Sequence, residues 1–201
     1  QLHENFKLKK NAPVWIAGST HAGEEEIILT AHQQLREKHP DLILILAPRR
    51  IERTNKVVDL LQKKKLSFVH RSSLEIAESV ILLDTMGELA KVYSLGQAAF
   101  IGNSLIEPGG GHSLIEPLSP GVAVIHGPHI ENIGDIADEV HTKGLAFTVH
   151  NVEEIIKTVH SLLEHKEQRM ELAGKAKKII EDQQGASEKM VETIQDVLRL
   201  I

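Results

Sequence analysis

Residues 13–47 have the sequence PVWIAGSTHAGEEEIILTAHQQLREKHPDLILILA, and this stretch decides the fold. It begins with the apolar run PVWIA at residues 13–17 and ends with the apolar run DLILILA at residues 41–47. Between them, apolar residues recur at helical spacing over residues 24–38, which predicts an amphipathic helix. Continuously apolar strands are typical of a sheet that is covered on both faces. The stretch therefore predicts a strand–helix–strand unit with parallel strands.

The rest of the chain repeats this alternation. Further strands are predicted at residues 67–70, 79–83, 98–101, 122–125 and 145–149, and further helices at residues 49–65, 87–95, 132–143 and from about 151 onward, with a break near Gly185. Such alternation predicts an α/β fold with a doubly wound, Rossmann-like parallel sheet. The sequence contains no linker or low-complexity segment, so we expect one domain over residues 1–201, with C-terminal helices from about residue 151.

Composition excludes several classes of protein. The 201 residues include no cysteine, which excludes disulfides and thiolate metal sites. The net charge of -5 argues against broad nucleic-acid binding. No apolar run approaches the roughly 20 residues that a membrane span needs, so we expect a soluble chain. The chain starts at Gln1 rather than at Met, and we expect it to be part of a longer protein.

Five polar, glycine-bearing loops follow predicted strands. They lie at residues 18–24, 48–53, 84–88, 102–116 and 127–132. Right-handed crossovers place the carboxyl ends of all strands at one edge of a parallel sheet. We therefore expect these loops to gather along a single ligand-binding crevice.

The first two loops carry groups that suit an anion. Glycines and the N–H groups at a helix start attract an anion, and the hydroxyls of Ser19 and Thr20 can add donors. Arg49 directly follows a predicted strand, and its planar guanidinium suits a phosphate. The alternatives are an ordinary helix cap for the first loop and a solvated basic face for the second, which is the interpretation we prefer for Arg53.

The third loop contains Met86, Gly87 and Glu88 at another helix start. Met86 can pack against a flat base, and exposed N–H groups can meet a phosphate. A capping turn, with Glu88 favouring the helix dipole, is the alternative.

The strongest motif is GGGHSLIEP at residues 109–117. If a helix begins at about His112, then His112 and Glu116 share one face, a turn apart. The N–H groups of Gly110 and Gly111 would then point into the crevice beside an imidazole and a carboxylate. A carboxylate there can accept both hydroxyls of a ribose. A metal held by this His and Glu is a weaker alternative, because no third ligand is spaced nearby.

The fifth loop, GPHIEN at residues 127–132, opens a predicted helix. Asn132 at a helix start is by default a cap. In the crevice it can instead bind sugar hydroxyls.

Taken together, the motifs resemble the C-terminal domain of 3-deoxy-D-manno-octulosonic acid (Kdo) transferases of the GT-B fold. The resemblance covers roughly residues 14–138. The matching motifs are GSTH at residues 18–21, GEEE at 23–26, APR at 47–49, GEL at 87–89, GGH at 110–112, EP at 116–117, and GPH at 127–129 with Asn132. They occur in the order and spacing of that family.

The resemblance implies a CMP-Kdo donor, a lipid A precursor as acceptor, and an inverting transfer that needs no metal or other cofactor. It implies that this chain is the donor-binding half. The catalytic carboxylate base and the acceptor surface belong to an N-terminal domain that this chain lacks, so we expect no catalytic residue here and no transfer by this chain alone. The parent enzyme is expected at the cytoplasmic face of the bacterial inner membrane.

Within that resemblance, Arg49 and the first and third loops would hold the phosphate, and Glu116 the ribose. The expected substrate contacts are Ser19, Thr20, Arg49, Met86, Gly87, Glu88, Gly110, Gly111, His112, Ser113, Glu116 and Asn132. The chain departs from the family pattern at Arg50, where His is usual, and at Ser113, where Asn is usual. Ser113 lacks an amide, so we expect one donor contact to be weaker.

Three other functions fit parts of the pattern. One is the donor domain of a UDP-sugar-dependent GT-B enzyme or 2-epimerase. Another is a Rossmann-like dinucleotide-binding module, against which the missing GxGxxG motif argues. The third is a regulatory fragment that binds no ligand.

Overall fold

The computed structural model describes residues 2–9, 11–73 and 75–181, and it contains one seven-stranded, fully parallel sheet. The strands are β1 Val14–Thr20, β2 Ile43–Pro48, β3 Phe68–His70, β4 Val80–Leu82, β5 Ala98–Ile101, β6 Ala123–His126 and β7 Ala146–Thr148. Their order in the sheet is β3-β4-β2-β1-β5-β6-β7. The predicted doubly wound α/β fold is confirmed.

Helices alternate with the strands along the chain. They are α1 Leu2–Asn5, α2 Glu24–Lys38, α3 Thr54–Lys63, α4 Leu89–Val92, α5 Ile115–Leu118, α6 Gly134–Thr142 and α7 Val152–Glu164. Residues 166–181 are also helical. In the part of the chain that the structure describes, no helix combines the length and the apolar character that crossing a bilayer requires.

The strand order places the switch point of the topology in the middle of the sheet. From β1 the chain passes to β2, then to the edge strand β3 and back to β4 between them, and from there it crosses to β5 and winds the other way through β6 and β7. Strands β1 and β5 are neighbours, with Ile16 paired to Ala99 and Gly18 to Ile101. Ligands bind such sheets in the crevice where the two halves diverge at the carboxyl ends of the strands.

The core explains why the central strands contain almost no polar residue. Side chains of β1, β2 and β5, such as Trp15, Leu44 and Phe100, have no exposed surface. One polar chain crosses this core: the indole N–H of Trp15 donates to Nδ1 of His32 at 3.1 Å, and Nε2 of His32 lies 3.1 Å from the Ser79 hydroxyl. Burial lowers the pKa of His32 to about 3, so this imidazole is neutral.

The structure differs from the predicted elements at two helix starts. Arg50 is extended and a short 3₁₀ turn, Ile51–Arg53, follows it, so the helix predicted from residue 49 begins at Thr54. The helix predicted from about His112 begins at Ile115, because residues 112–114 continue the irregular loop that Gly110 and Gly111, with positive φ angles of 126° and 74°, begin. The break predicted near Gly185 lies outside the described residues.

Candidate functional site

The candidate site lies at the carboxyl edge of the sheet, above the switch point. Residues 21–23 follow β1 and residues 102–114 follow β5, so the two loops flank the crevice. The loops after β2 and β4 extend the same edge on one side, and the loop after β6 extends it on the other. The predicted gathering of the loops along one edge is therefore what the topology produces.

A single buried carboxylate fastens the two central loops together. Glu24, at the first turn of α2, is 1% exposed. Its Oε2 atom accepts the backbone N–H groups of His21 and Asn103, each at 2.8 Å, and its Oε1 atom accepts those of Ser104 at 2.9 Å and Leu105 at 3.0 Å. Four backbone donors from both loops thus share one side chain, and this fixes the width of the crevice at its centre.

Backbone also packs directly on backbone at this edge. A Cβ atom on Gly102 would lie 2.2 Å from the carbonyl oxygen of Ser19, and one on Gly127 would lie 2.1 Å from that of Ser104. Ser19 itself has a positive φ of 55°. The backbones after β1, β5 and β6 are consequently in direct contact. Only glycine leaves room for this contact at positions 102 and 127.

A cavity of about 290 Å³ opens between the loops after β1, β2 and β4. Four of the predicted contacts line it: Ser19, Arg49, Met86 and Gly87. Arg50 lines it as well, and both arginines are exposed. Two guanidinium groups beside a hydroxyl and an 86% exposed Met86 suit an anionic ligand with an apolar, flat part.

Two other predicted contacts have different surroundings. Thr20 has no exposed surface, and its hydroxyl has no hydrogen-bond partner among the described residues. Its side chain is therefore closed off from the crevice, contrary to the prediction that it donates to a ligand.

Glu88 pairs with Arg71 at 3.1 Å and accepts a hydrogen bond from the Thr85 hydroxyl. A ligand would have to compete with that cation for Glu88.

The glycine loop at residues 109–111 does not offer the N–H groups of Gly110 and Gly111 as free donors. The N–H of Gly110 donates to the carbonyl of His129 at 3.1 Å, and that of Gly111 donates to the carbonyl of Asn103 at 2.7 Å. The expectation that these N–H groups point at a ligand is wrong, because the backbone already uses them. The carbonyl of Gly110 accepts the N–H of Asn132 at 3.0 Å, and a Cβ on Gly110 would lie 2.1 Å from the Asn132 amide nitrogen. The glycine is what lets Asn132 sit over the loop.

Two histidines meet across the crevice. The Nε2 atoms of His21 and His112 are 3.2 Å apart. Burial lowers the pKa of both rings, and the positive charge of Arg49 lowers each further, while Glu24 opposes the shift. The pair is thus held neutral, so one ring donates to the other. Added negative charge in the crevice would favour its protonation.

Glu116 and Ser113 take no part in the hydrogen bond between these two rings. Both are exposed, and Glu116 is in the first turn of α5. It lines a second hollow together with Leu2 and Lys91. Burial raises the pKa of Tyr93, and the negative charge of Glu116 raises it further. The shared helical face predicted for His112 and Glu116 is absent because α5 starts too late.

Sequence reasoning missed a network at the end of β4. Asp84 accepts the backbone N–H of Ser72 at 3.0 Å, the Ser72 hydroxyl at 2.7 Å and a ring nitrogen of His70 at 3.1 Å. These hydrogen bonds hold its pKa below the usual range, against the effect of burial.

Sequence reasoning also missed Tyr93, whose hydroxyl occupies the space that a Cβ on Gly18 would need. In the sequence, the one sign of this close contact is Gly18, a glycine directly after the apolar run at residues 13–17.

The chain matches the model of the family described as "Glycosyl transferases group 1" over residues 11–179. It is 38% identical over 194 residues to the 3-deoxy-D-manno-octulosonic acid transferase of Haemophilus influenzae, covering 94% of this chain and 45% of that protein. It is 34% identical to the enzyme of the same name from Aquifex aeolicus, covering 84% and 46%. The chain thus spans less than half the length of these relatives.

Comparison with solved structures also relates this chain to the Kdo transferases. The C-terminal CMP-Kdo binding domain of WaaA from Acinetobacter baumannii superposes with a TM-score of 0.83 and 33% identity, covering 90% of this chain and 94% of that one. The UDP-GlcNAc 2-epimerase of Neisseria meningitidis has a TM-score of 0.57 at 17% identity over 90% of this chain and 46% of that one. At that level of identity the second likeness shows a shared fold alone.

Proposed function

We propose that this chain, which belongs to the group 1 glycosyl transferases and within them to the Kdo transferases, is the C-terminal, donor-binding domain of such an enzyme and binds CMP-Kdo. We propose further that it presents this donor for inverting transfer of Kdo to a lipid A precursor. The observation that carries the proposal is the likeness to a CMP-Kdo binding domain over 90% of this chain and 94% of that one.

In this proposal the CMP phosphate lies in the cavity beside Arg49. That side chain is exposed, lines the cavity together with Ser19, and has no salt bridge within the described part of the chain. Its planar fork can donate two hydrogen bonds to phosphate oxygens. Met86, on the facing loop, supplies an apolar surface for the base.

We assign the remaining contacts to the loops after β5 and β6 and to the start of α5. Glu116 would accept the ribose hydroxyls, and His112, Ser113 and Asn132 would face the sugar. Of these, Asn132 is fixed by its backbone bond to Gly110, so it is the most pre-positioned sugar contact.

The chemistry asked of this chain is the stabilisation of a leaving phosphate. As the acceptor oxygen attacks the anomeric carbon, the bond to CMP breaks and negative charge grows on the phosphate. In this proposal Arg49 stabilises the growing charge, and the neighbouring histidine pair, neutral without a ligand, becomes easier to protonate as that charge develops. This role needs no metal.

Deprotonation of the acceptor hydroxyl needs a base. His21 and His112 are hydrogen-bonded to each other, and Glu24 accepts four backbone donors, so these groups already have other roles. We assign the base, and the contact with the lipid acceptor at the cytoplasmic face of the inner membrane, to an N-terminal domain of the parent enzyme.

Calorimetric titration of this chain with CMP, UDP and NAD tests the proposal. We expect CMP to bind at least about tenfold more tightly than UDP or NAD, a difference of roughly 1.4 kcal/mol. Equal or tighter binding of UDP would instead support a UDP-sugar enzyme. Preference for NAD would support a dinucleotide-binding module, and no binding by any of the three would leave a regulatory role.

A further inference from the structure

A cluster of imidazole and carboxylate groups lies at the edge of the sheet opposite the crevice. Helix α2 starts at the carboxyl edge and runs back to the amino edge, where it ends at Lys38. Helix α7 packs beside α2 and also runs to the amino edge, where it ends at Glu164. His39 caps α2, and His160 and Glu164 lie one turn apart at the end of α7.

The three side chains are close enough to share one ion. Nε2 of His39 lies 2.8 Å from Nδ1 of His160, and Nδ1 of His39 lies 3.7 Å from Oε1 of Glu164. One ligand atom from each residue can be chosen so that all three lie within 4.8 Å of one another. Across the part of the chain that the structure describes, no other group of three such side chains meets this condition.

The geometry is close to that of a bound zinc ion. With zinc–nitrogen bonds of about 2.0–2.1 Å, two imidazole nitrogens in a tetrahedral site lie roughly 3.3 Å apart, so the two rings need to separate by only about half an ångström. The carboxylate has further to move. Because the side chain of Glu164 is 55% exposed, it can turn toward the ion without leaving a packed position.

The backbone holds the ligands in place. The N–H of His39 donates to the carbonyl of Leu35 at 2.9 Å, and Pro40 follows it, so the position of this residue at the helix end is restrained from both sides. The side chain of His39 is only 12% exposed. His160 and Glu164 are separated by one helical turn and therefore project from the same face of α7.

We propose that His39, His160 and Glu164 form a binding site for a divalent transition metal, Zn²⁺ in the first instance, that joins the end of α2 to the end of α7. Two imidazoles and one carboxylate are a ligand set typical of zinc, and a water would complete the tetrahedron. Hard cations such as Mg²⁺ and Ca²⁺ prefer oxygen ligands and are not expected to bind.

The site is separate from the donor crevice, where we propose no metal. Its effect is on the fold: an ion that bridges two helices binds the folded chain and not the unfolded one, so it raises stability by mass action. It fixes the end of α7 at the point where the chain continues into residues 166–181.

Titration of the 201-residue chain, without a polyhistidine tag, tests the proposal. We expect one equivalent of Zn²⁺ to bind and to raise the melting temperature, with no such rise for Mg²⁺. His160→Asn should weaken Zn²⁺ binding at least about tenfold. The matched control is His150→Asn, because His150, just before the N-cap of α7, pairs with Glu154 in the first turn of that helix without a third ligand among the described residues. That control should bind Zn²⁺ as the parent does.

Glu164→Gln provides a second variant in case the imidazole substitution prevents folding. It removes the carboxylate at an exposed position and should lower the affinity for Zn²⁺ while leaving the melting temperature without metal unchanged. Failure of the parent chain to bind Zn²⁺ would overturn the proposal, and so would unchanged binding by both variants. CMP titration is an independent readout, because the proposed donor site uses none of these three residues.

Discussion

The carboxylate of Glu24 accepts the backbone N–H of Asn103 at 2.8 Å, and this contact joins the two halves of the sheet at the switch point. The same side chain also accepts the N–H groups of Ser104 and Leu105. Because the group is buried and each of its oxygens accepts two donors, loss of one oxygen leaves two backbone N–H groups without a partner.

We therefore expect Glu24→Gln to lower the free energy of unfolding by about 2–4 kcal/mol, since an unsatisfied buried donor costs roughly 1–3 kcal/mol and the bonds to a charged acceptor are also weakened. Urea denaturation measures the change. Glu26→Gln, two residues later on the same helix, is the control: its side chain is 54% exposed and lies 4.0 Å from Lys63, so it should change stability by less than about 1 kcal/mol. Equal effects of the two variants would contradict the role given to Glu24.

Arg49→Ala is expected to weaken CMP binding by about tenfold to a hundredfold, because a hydrogen bond to a charged group contributes roughly 1.5–3 kcal/mol. The melting temperature should remain that of the parent, since Arg49 is exposed. Calorimetry and a thermal melt give the two readouts. Normal binding by this variant would remove Arg49 from the phosphate site.

Arg53→Ala provides the contrast within the same segment. Arg53 pairs at 3.0 Å with Glu25, a fully buried carboxylate whose pKa burial raises. Removing the partner leaves a buried charge uncompensated, so we expect a loss of about 2 kcal/mol or more in stability, with CMP affinity close to that of the parent. A loss of affinity without a loss of stability would reverse the assignments of the two arginines.

Glu116→Ala should lower the affinity for CMP by about tenfold and leave the affinity for inorganic phosphate unchanged, because this carboxylate is assigned to the ribose. The comparison of the two ligands isolates the ribose contact. Ser119→Ala is a suitable control, since Ser119 lines the same hollow as Glu116 and is likewise exposed. If Glu116→Ala melts far below the parent, the residue is structural instead.

Stability should fall as the pH drops below about 6.5. His32 has its pKa lowered from 6.5 to about 3 in the folded chain, so over that window the unfolded chain binds a proton that the folded chain does not. This residue alone predicts a loss of roughly 1.4 kcal/mol between about pH 7.5 and about pH 5.5. The lowered pKa values of His21, His112 and His126 act in the same direction. Urea denaturation at the two pH values measures it, and His32→Gln should reduce the difference. Stability that does not change with pH would contradict the assignment.

The chain on its own should transfer no sugar. Incubation with CMP-Kdo and a lipid A precursor is expected to yield no product above the background hydrolysis of the donor, because our proposal assigns both the positioning of the acceptor and the removal of its proton to an N-terminal domain. Binding of CMP by the same preparation serves as the control for a folded site. Steady formation of product would show that a base lies within these 201 residues.

The order of the elements follows from local patterns, and that is why the sequence predicts it well. Apolar runs and helical spacing fix residues 24–38 and 98–101 at the bounds the structure has. The start of α5 cannot be predicted from the local pattern, because the loop before it is held by hydrogen bonds from Gly111 to Asn103 and from Gly110 to His129 of the loop after β6.

The site was predicted less completely than the fold. The predicted positions of these loops after parallel strands bring Ser19, Arg49, Met86 and Gly87 to one sheet edge, and all four line one cavity. The role of Glu24 was not predicted, since an acidic residue in a first helical turn has an ordinary explanation in the helix dipole. Its four backbone partners become visible only when two loops, some 80 residues apart along the chain, are placed side by side.

The glycines at the ends of β5 and β6 set the spacing of three loops by the thickness of the main chain, as at Gly102 against Ser19 and at Gly127 against Ser104. The backbone therefore sets the dimensions of the crevice, and these dimensions do not depend on which side chains line it. Over evolutionary time, such a scaffold can exchange lining residues, as at Arg50 or Ser113, and so alter which donor it prefers while the frame keeps its dimensions. Substitution at either glycine would instead change the frame and every ligand contact at once.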